Sequence, residues 1–99
     1  MVRNIFTSPS GRKIHYEIYG ARKQTRTLVF MHGFPGSHVQ AEFFTSHLSK
    51  YNIRVISVDR PGYGYSDSVY RRREEIFLKD LEFLFQDLKI TQFYLIGVS

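Results

Sequence analysis

Three short segments of this chain hold residue types that could do chemistry, and each follows an apolar run. Leu28-Val29-Phe30-Met31 leads into His32-Gly33-Phe34-Pro35-Gly36, and Arg54-Val55-Ile56-Ser57-Val58 leads into Asp59-Arg60-Pro61-Gly62-Tyr63-Gly64-Tyr65-Ser66-Asp67. Phe93-Tyr94-Leu95-Ile96 leads into Gly97-Val98-Ser99. In the first loop, glycines and a proline surround one bulky residue. Glycine tolerates positive φ and proline stiffens the turn, so the loop can aim backbone N–H groups outward, as an oxyanion requires. The same residues also suit a tight strand-to-helix turn with no ligand. The second loop spaces Gly62, Gly64 and Ser66 like a phosphate-binding loop. It lacks G-x-G-x-x-G and a Lys-Ser/Thr pair, which argues against nucleotide binding. Asp59 and Arg60 are expected to hold this loop by local hydrogen bonds and charge. In the third segment, a serine at a strand end is a candidate nucleophile raised on a strained turn. As the last residue it reads equally as a frayed chain end.

The elements that must position these segments follow from hydrophobic spacing. Ile14, Tyr16 and Ile18 alternate with His15, Glu17 and Tyr19, the period of a half-buried strand. Ile5-Phe6, across Ser8-Pro9-Ser10-Gly11, predicts the other arm of a hairpin. The apolar runs at 27–31, 54–58 and 93–96 predict three strands buried in a parallel sheet. Ser37 is a candidate N-cap, and Val39, Phe43, Phe44 and Leu48 predict a helix over 38–50. Phe77, Leu81, Leu84, Phe85 and Leu88 predict a second helix over 71–89. Arg71-Arg72-Arg73 opposes the helix dipole, which favours a later start. Asp80 and Asp87, with Lys79 and Glu82 nearby, read as part of this helix's solvated face. Alternating strands and helices imply an α/β fold with right-handed crossovers. In open parallel sheets, chemistry gathers at the carboxyl ends of the strands.

The order strand–HGFPG, strand–DRPGYGYSD, helix, strand–GVS resembles the amino-terminal part of the α/β-hydrolase fold, over residues 5–99. That family carries H-G-x-P-G after its third strand, D-x-x-G-x-G-x-S after its fourth and G-x-S-x-G after its fifth. The resemblance implies a sheet of order 1-2-4-3-5 with strand 2 antiparallel, formed by a hairpin, three parallel strands and two crossover helices. It implies that Ser99 is the nucleophile and that the backbone N–H of Phe34 is an oxyanion donor. It also implies that His32 buttresses the loop with Gly33 and Gly36, and that Tyr63 and Tyr65 lie near the site rim or serve as packing. Serine disfavours the haloalkane dehalogenase and epoxide hydrolase branches, which use Asp. Esterases, lactonases, proline iminopeptidase-type peptidases, cofactor-free haloperoxidases and C–C bond hydrolases remain. The family's acid and His follow the serine in chain order; here nothing follows Ser99, and His15, His38 and His47 all precede it. The expectation is therefore a truncated hydrolase, residues 1–99 being the front of one domain and inactive alone. An open edge at the strand of 93–97 is expected to favour self-association. A non-catalytic interaction module, or a complementation fragment using that edge, is the alternative.

Composition bounds the remaining classes. Ninety-nine residues with 42% hydrophobic and 16% aromatic content are enough for one small core or part of one domain. The net charge of +5 resides wholly in residues 1–26, where six basic residues face only Glu17. These residues are dispersed and no nucleic-acid motif accompanies them, so a solvated hairpin is expected rather than a nucleic-acid partner. No apolar run approaches the ~20 residues of a membrane span. The absence of Cys excludes disulfides and thiolate sites and fits a reducing compartment, so a cytoplasmic location is expected. No H-E-x-x-H or usual His/Asp pairing is present, and neither a metal nor another cofactor is expected.

Overall fold

The computed structural model describes residues 4–20, 26–33, 36–45 and 48–98. Strands β1 (Asn4–Thr7) and β2 (Lys13–Gly20) form the expected hairpin, with Ile5 opposite His15. Strands β3 (Arg26–Met31), β4 (Ile53–Val58) and β5 (Tyr94–Gly97) complete a five-stranded sheet of order β1-β2-β4-β3-β5. β2 runs antiparallel to β4, whereas β3 is parallel to both β4 and β5. The three apolar runs therefore lie side by side, in the predicted order. Helix α2 (Arg73–Asp87) covers one face, where Leu81 and Leu84 close over Ile14, Val29, Met31, Ile56 and Val58. On the other face Phe30, Ala41 and Val55 form a smaller core with Leu28, Leu48 and Ile53 around it. No helix among the described residues is long and apolar enough to cross a membrane.

The first helix departs from expectation. The predicted helix over 38–50 is a 3₁₀ turn (His38–Ala41), a single turn α1 (Glu42–Thr45) and a second 3₁₀ turn (Ser49–Tyr51). Ser37 does cap it, its Oγ accepting from the Val39 N–H. An α-helix would require the His38 carbonyl to accept from the Glu42 N–H. That carbonyl instead accepts the Ser57 hydroxyl at 2.9 Å, and the Glu42 N–H goes to the carbonyls of Val39 and Gln40. A tertiary contact thus tightens the turn. Helix α2 starts at Arg73, after Arg72 in the left-handed region at φ 52°, consistent with the cost of three arginines in a first turn. Its end is closed by Lys89 at φ 57°, with the Ile90 N–H returning to the Phe85 carbonyl.

Two burial expectations are corrected. β5 does not form a third buried strand: all four of its residues are exposed, because it lies at the sheet edge and no element packs its outer face among the described residues. Asp80 is not on a solvated face. It is 2% exposed, and its carboxylate receives Arg12 through both Nε and Nη2 at 2.8 Å. This bidentate bridge ties the hairpin turn to α2 and raises the Arg12 pKa through the hydrogen bond. Arg12 retains partial exposure and Asp80 has almost none. Arg12→Ala is therefore expected to cost about 2 kcal/mol and Asp80→Ala about 1 kcal/mol in urea unfolding, since only the first strands a buried charge.

Candidate functional site

The carboxyl ends of β3 and β4 are joined by His32. Its ring is fully buried, its Nδ1 donates to the Gly33 carbonyl at 2.9 Å, and its Nε2 accepts the Arg60 N–H at 2.9 Å. An accepting Nε2 with a donating Nδ1 is the pattern of a neutral imidazole used as a strut between two loops. The Gly33 N–H donates to Gln40 Oε1 at 2.8 Å, so the start of the 32–36 loop is also held from the 3₁₀ turn. At Gly36 a Cβ would overlap the Gln40 side-chain amide and the Gly33 carbonyl, so the close approach demands glycine. Phe34 and Pro35 lie outside the described residues, as does Ser99. The strand pairing continues one residue past β5: the Val98 N–H donates to the Met31 carbonyl at 3.0 Å. Residue 98 therefore lies against the end of β3, beside the strand that runs into His32.

The second loop is organised around one buried carboxylate. Asp59 is fully buried and receives the backbone N–H of His38 at 2.7 Å, the backbone N–H of Tyr65 at 3.0 Å, and Nδ1 of both His15 and His38 at 2.8 Å. Ser66 closes the loop by donating to the Asp59 carbonyl and accepting the His15 N–H. Asp67 exchanges two bonds of 2.8 Å with the backbone of Lys13. Residues 59–67 thus take over the pairing of β2 where β4 ends. Arg60 supports the loop differently from the sequence expectation. Its backbone N–H does so, through His32, but its guanidinium does not: Nε is buried and has no hydrogen-bond partner.

Burial pushes the Asp59 carboxyl upward, but the hydrogen bonds from the His38 and Tyr65 amides and the two imidazoles outweigh it and hold its pKa below the usual carboxylate range. A carboxyl depressed in the folded state contributes stability that is fully present above its unfolded pKa of about 3.9 and is lost as pH falls through the lower, folded value. The slope of unfolding free energy against pH is therefore expected to be positive below about pH 4, and to shrink in Asp59→Asn, as read by urea melts at stepped pH.

The pairing of His15 and His38 through Asp59 was not legible in the sequence. His15 stands at the position that alternation assigns to the solvent face, yet it is buried, while Ile18 is exposed. The second loop folds over that face of β2 and turns it inward. His15 Nε2 also meets Glu17 Oε1 at 2.9 Å, and its ring packs edge-on against His38 and Tyr65. Tyr63 makes a similar edge contact with His32. His15, His38 and Asp59 bring one ligand atom each within 4.8 Å of the others, a donor set that could hold a cation. The hydrogen bonds between them already satisfy the ring Nδ1 atoms and the carboxylate. The arrangement is a clamp that joins β2, the 3₁₀ turn and the 59–67 loop.

A five-stranded sheet of this order, with its polar loops gathered at the carboxyl ends of β3 and β4, defines an α/β-hydrolase-like sheet. The family model described as alpha/beta hydrolase fold matches residues 26–99, and the chain belongs to that family. It is 33% identical over 101 residues to a 2-hydroxy-6-oxononadienedioate/2-hydroxy-6-oxononatrienedioate hydrolase of Paraburkholderia phymatum, covering 97% of this chain and 34% of that protein. It is 33% identical over 94 residues to a proline iminopeptidase of Lactobacillus helveticus, covering 90% of this chain and 32% of that protein. Among solved structures, an esterase from Exiguobacterium antarcticum superposes with a TM-score of 0.84 at 28% identity, over 99% of this chain and 36% of the esterase. The chain thus spans about a third of the length of the relatives it matches.

Proposed function

We propose that residues 1–99 are the amino-terminal part of a single α/β-hydrolase domain that cleaves small ester or amide substrates through Ser99. The backbone N–H of Phe34 would stabilise the oxyanion, and His32, Gly33, Gly36, Asp59 and the Arg60 backbone would hold the two loops. The observation that carries this reading is the Val98–Met31 hydrogen bond, which brings the residue preceding Ser99 against the end of β3, one residue before His32. The matched relatives include an esterase and a peptidase, both enzymes of acyl transfer. A serine hydroxyl needs a base to become nucleophilic at neutral pH. None of the described histidines is free for this, because His15 and His38 are committed to Asp59 and His32 to Arg60 and Gly33. The acid and base would come from sequence outside residues 1–99, in a protein of the cytoplasm with no nucleic-acid partner and no cofactor.

The test is covalent labelling by a fluorophosphonate probe, mapped by mass spectrometry, on the 99-residue chain and on the product of its complete reading frame. Labelling of Ser99 is expected in a longer product and not in the 99-residue chain, and Ser99→Ala should abolish it. Labelling confined to other residues would refute the assignment.

A second reading, a non-catalytic interaction module, draws on the β5 edge, where Tyr94 is 69% and Leu95 61% exposed. An apolar, unpaired edge is a template for strand addition. The 99-residue chain is expected to self-associate at tens of micromolar in light scattering, and Leu95→Lys to move it toward monomer. A monodisperse monomer before substitution would count against the edge as a contact surface.

A further inference from the structure

Gln40 joins the 3₁₀ turn to both ends of the 32–36 loop. Its Oε1 accepts the N–H of buried Gly33 at 2.8 Å, and its Nε2 lies where a Cβ on Gly36 would fall. The turn that carries it is itself fixed from β4 and the second loop. Ser57 Oγ donates to the His38 carbonyl at 2.9 Å, the His38 N–H donates to Asp59 at 2.7 Å, and the Gln40 N–H donates to the Ser37 carbonyl at 3.1 Å. Glycine has the freest backbone of any residue, so Gly33 needs outside contacts to hold one conformation. It has one on each side. Gln40 holds the peptide before it through the N–H, and His32 Nδ1 holds the peptide after it through the carbonyl at 2.9 Å. In a planar trans peptide the N–H points opposite to the carbonyl. Whatever fixes the Gly33 carbonyl therefore fixes the direction of the next N–H, which belongs to Phe34.

We infer that Gln40 is a positioning residue for the acyl chemistry of this site: by locking Gly33 from its amino side, it keeps the Phe34 N–H aimed at the developing oxyanion. The catalytic half of this inference rests on the hydrolase reading; the locking of Gly33 does not. The Gly33 N–H is spent on Gln40 and Pro35 has no N–H, so of these three residues Phe34 is the one to supply an amide to a ligand. Without Gln40, the peptide before Gly33 loses its acceptor, and rotation about Gly33 carries the next N–H off line. Misalignment weakens a bond that matters most in the transition state, so it lowers kcat rather than raising KM. Removing an oxyanion donor outright costs about 10²–10³ in kcat, and a donor only misaligned costs less, about tenfold. Gln40 touches no reacting atom in this role. A role confined to stability would leave the turnover of the folded enzyme unchanged.

Two variants test it: Gln40→Met, which keeps the length and loses the acceptor, and Gln40→Asn, which keeps the amide but is one methylene too short. In the 99-residue chain, amide hydrogen exchange followed by NMR should show Gly33 protected, and about tenfold less protected in both variants, with Val29 and Val55 unchanged. In the product of the complete reading frame, turnover of 4-nitrophenyl acetate should lose about tenfold in kcat, with KM within about threefold. An unprotected Gly33 amide in the unsubstituted chain, protection that survives both substitutions, or a kcat unchanged in both would overturn the inference. A loss carried by KM alone, or an equal loss of protection at Val29 and Val55, would overturn it as well. Ser99 labelling by the fluorophosphonate probe, with kcat unmoved by either variant, would sink the role of Gln40 and leave the hydrolase reading standing. Absence of Ser99 labelling would sink that reading and the catalytic half of this inference with it, while the exchange of Gly33 still decides the locking.

Discussion

Asp59→Ala is expected to cost about 4 kcal/mol, a large part of the 5–15 kcal/mol available to a small domain. The carboxylate is fully buried and serves the backbone amides of His38 and Tyr65 together with two imidazole nitrogens. Truncation leaves those four donors facing a cavity. Each buried donor without a partner costs about 1–3 kcal/mol, partly relieved where water can enter. Asn at this position keeps the shape and one acceptor oxygen but turns an NH₂ toward groups that are themselves donors. Asp59→Asn should therefore lose about half as much as Asp59→Ala. Urea unfolding followed by tyrosine fluorescence reads both. A loss under about 1 kcal/mol for Asp59→Ala would mean that the clamp does not hold the loops together.

Gly64→Ala is expected to cost about 3 kcal/mol through the same carboxylate. Gly64 lies at φ 53°, and a Cβ built there falls inside the Asp59 carboxyl group. The left-handed backbone alone costs a non-glycine residue about 1–2 kcal/mol. The remainder is displacement of Asp59 from its four donors. Gly62→Ala is the control: its φ is 82°, but the nearest atom to a new Cβ is Ser68 Oγ at 3.3 Å, at the end of a side chain that can turn. It should lose only the backbone part. The two larger changes must also be non-additive. In an Asp59→Ala background the overlap is gone, so Gly64→Ala should fall to about the cost of Gly62→Ala. Simple additivity in that double variant would place the strain elsewhere in the loop.

The strands show how much can be read locally. The runs at 27–31 and 54–58 are continuous and apolar because both faces of the central strands are covered, and β3 and β4 form there to within a residue. The run at 93–96 has the same composition, and β5 forms at Tyr94–Gly97, yet it is exposed throughout. Hydropathy records what a strand is able to bury; coverage depends on which elements pack against it. The helix over 38–50 fails for a related reason. Val39 and Leu48 have helical spacing, but the Ser57 hydroxyl takes the His38 carbonyl, a contact between residues 19 apart in the chain. Asp80 is misread because helical spacing alone does not distinguish a solvated carboxylate from one that Arg12 reaches across 68 residues.

The resemblance of the loop motifs to the α/β-hydrolase family implied the strand order, whereas short-range sequence by itself determined the strands and the two turns that follow β3 and β4. These depend on periodicity and on turn residues such as Gly64, whose constraints act over a few positions. Tertiary structure alone decided that Asp59 gathers His15 and His38 into one clamp and that Arg12 closes over Asp80. Each of these is a long-range electrostatic or hydrogen-bond choice among many equally polar partners. Burial selects among them, since only a desolvated donor or acceptor must find its counterpart.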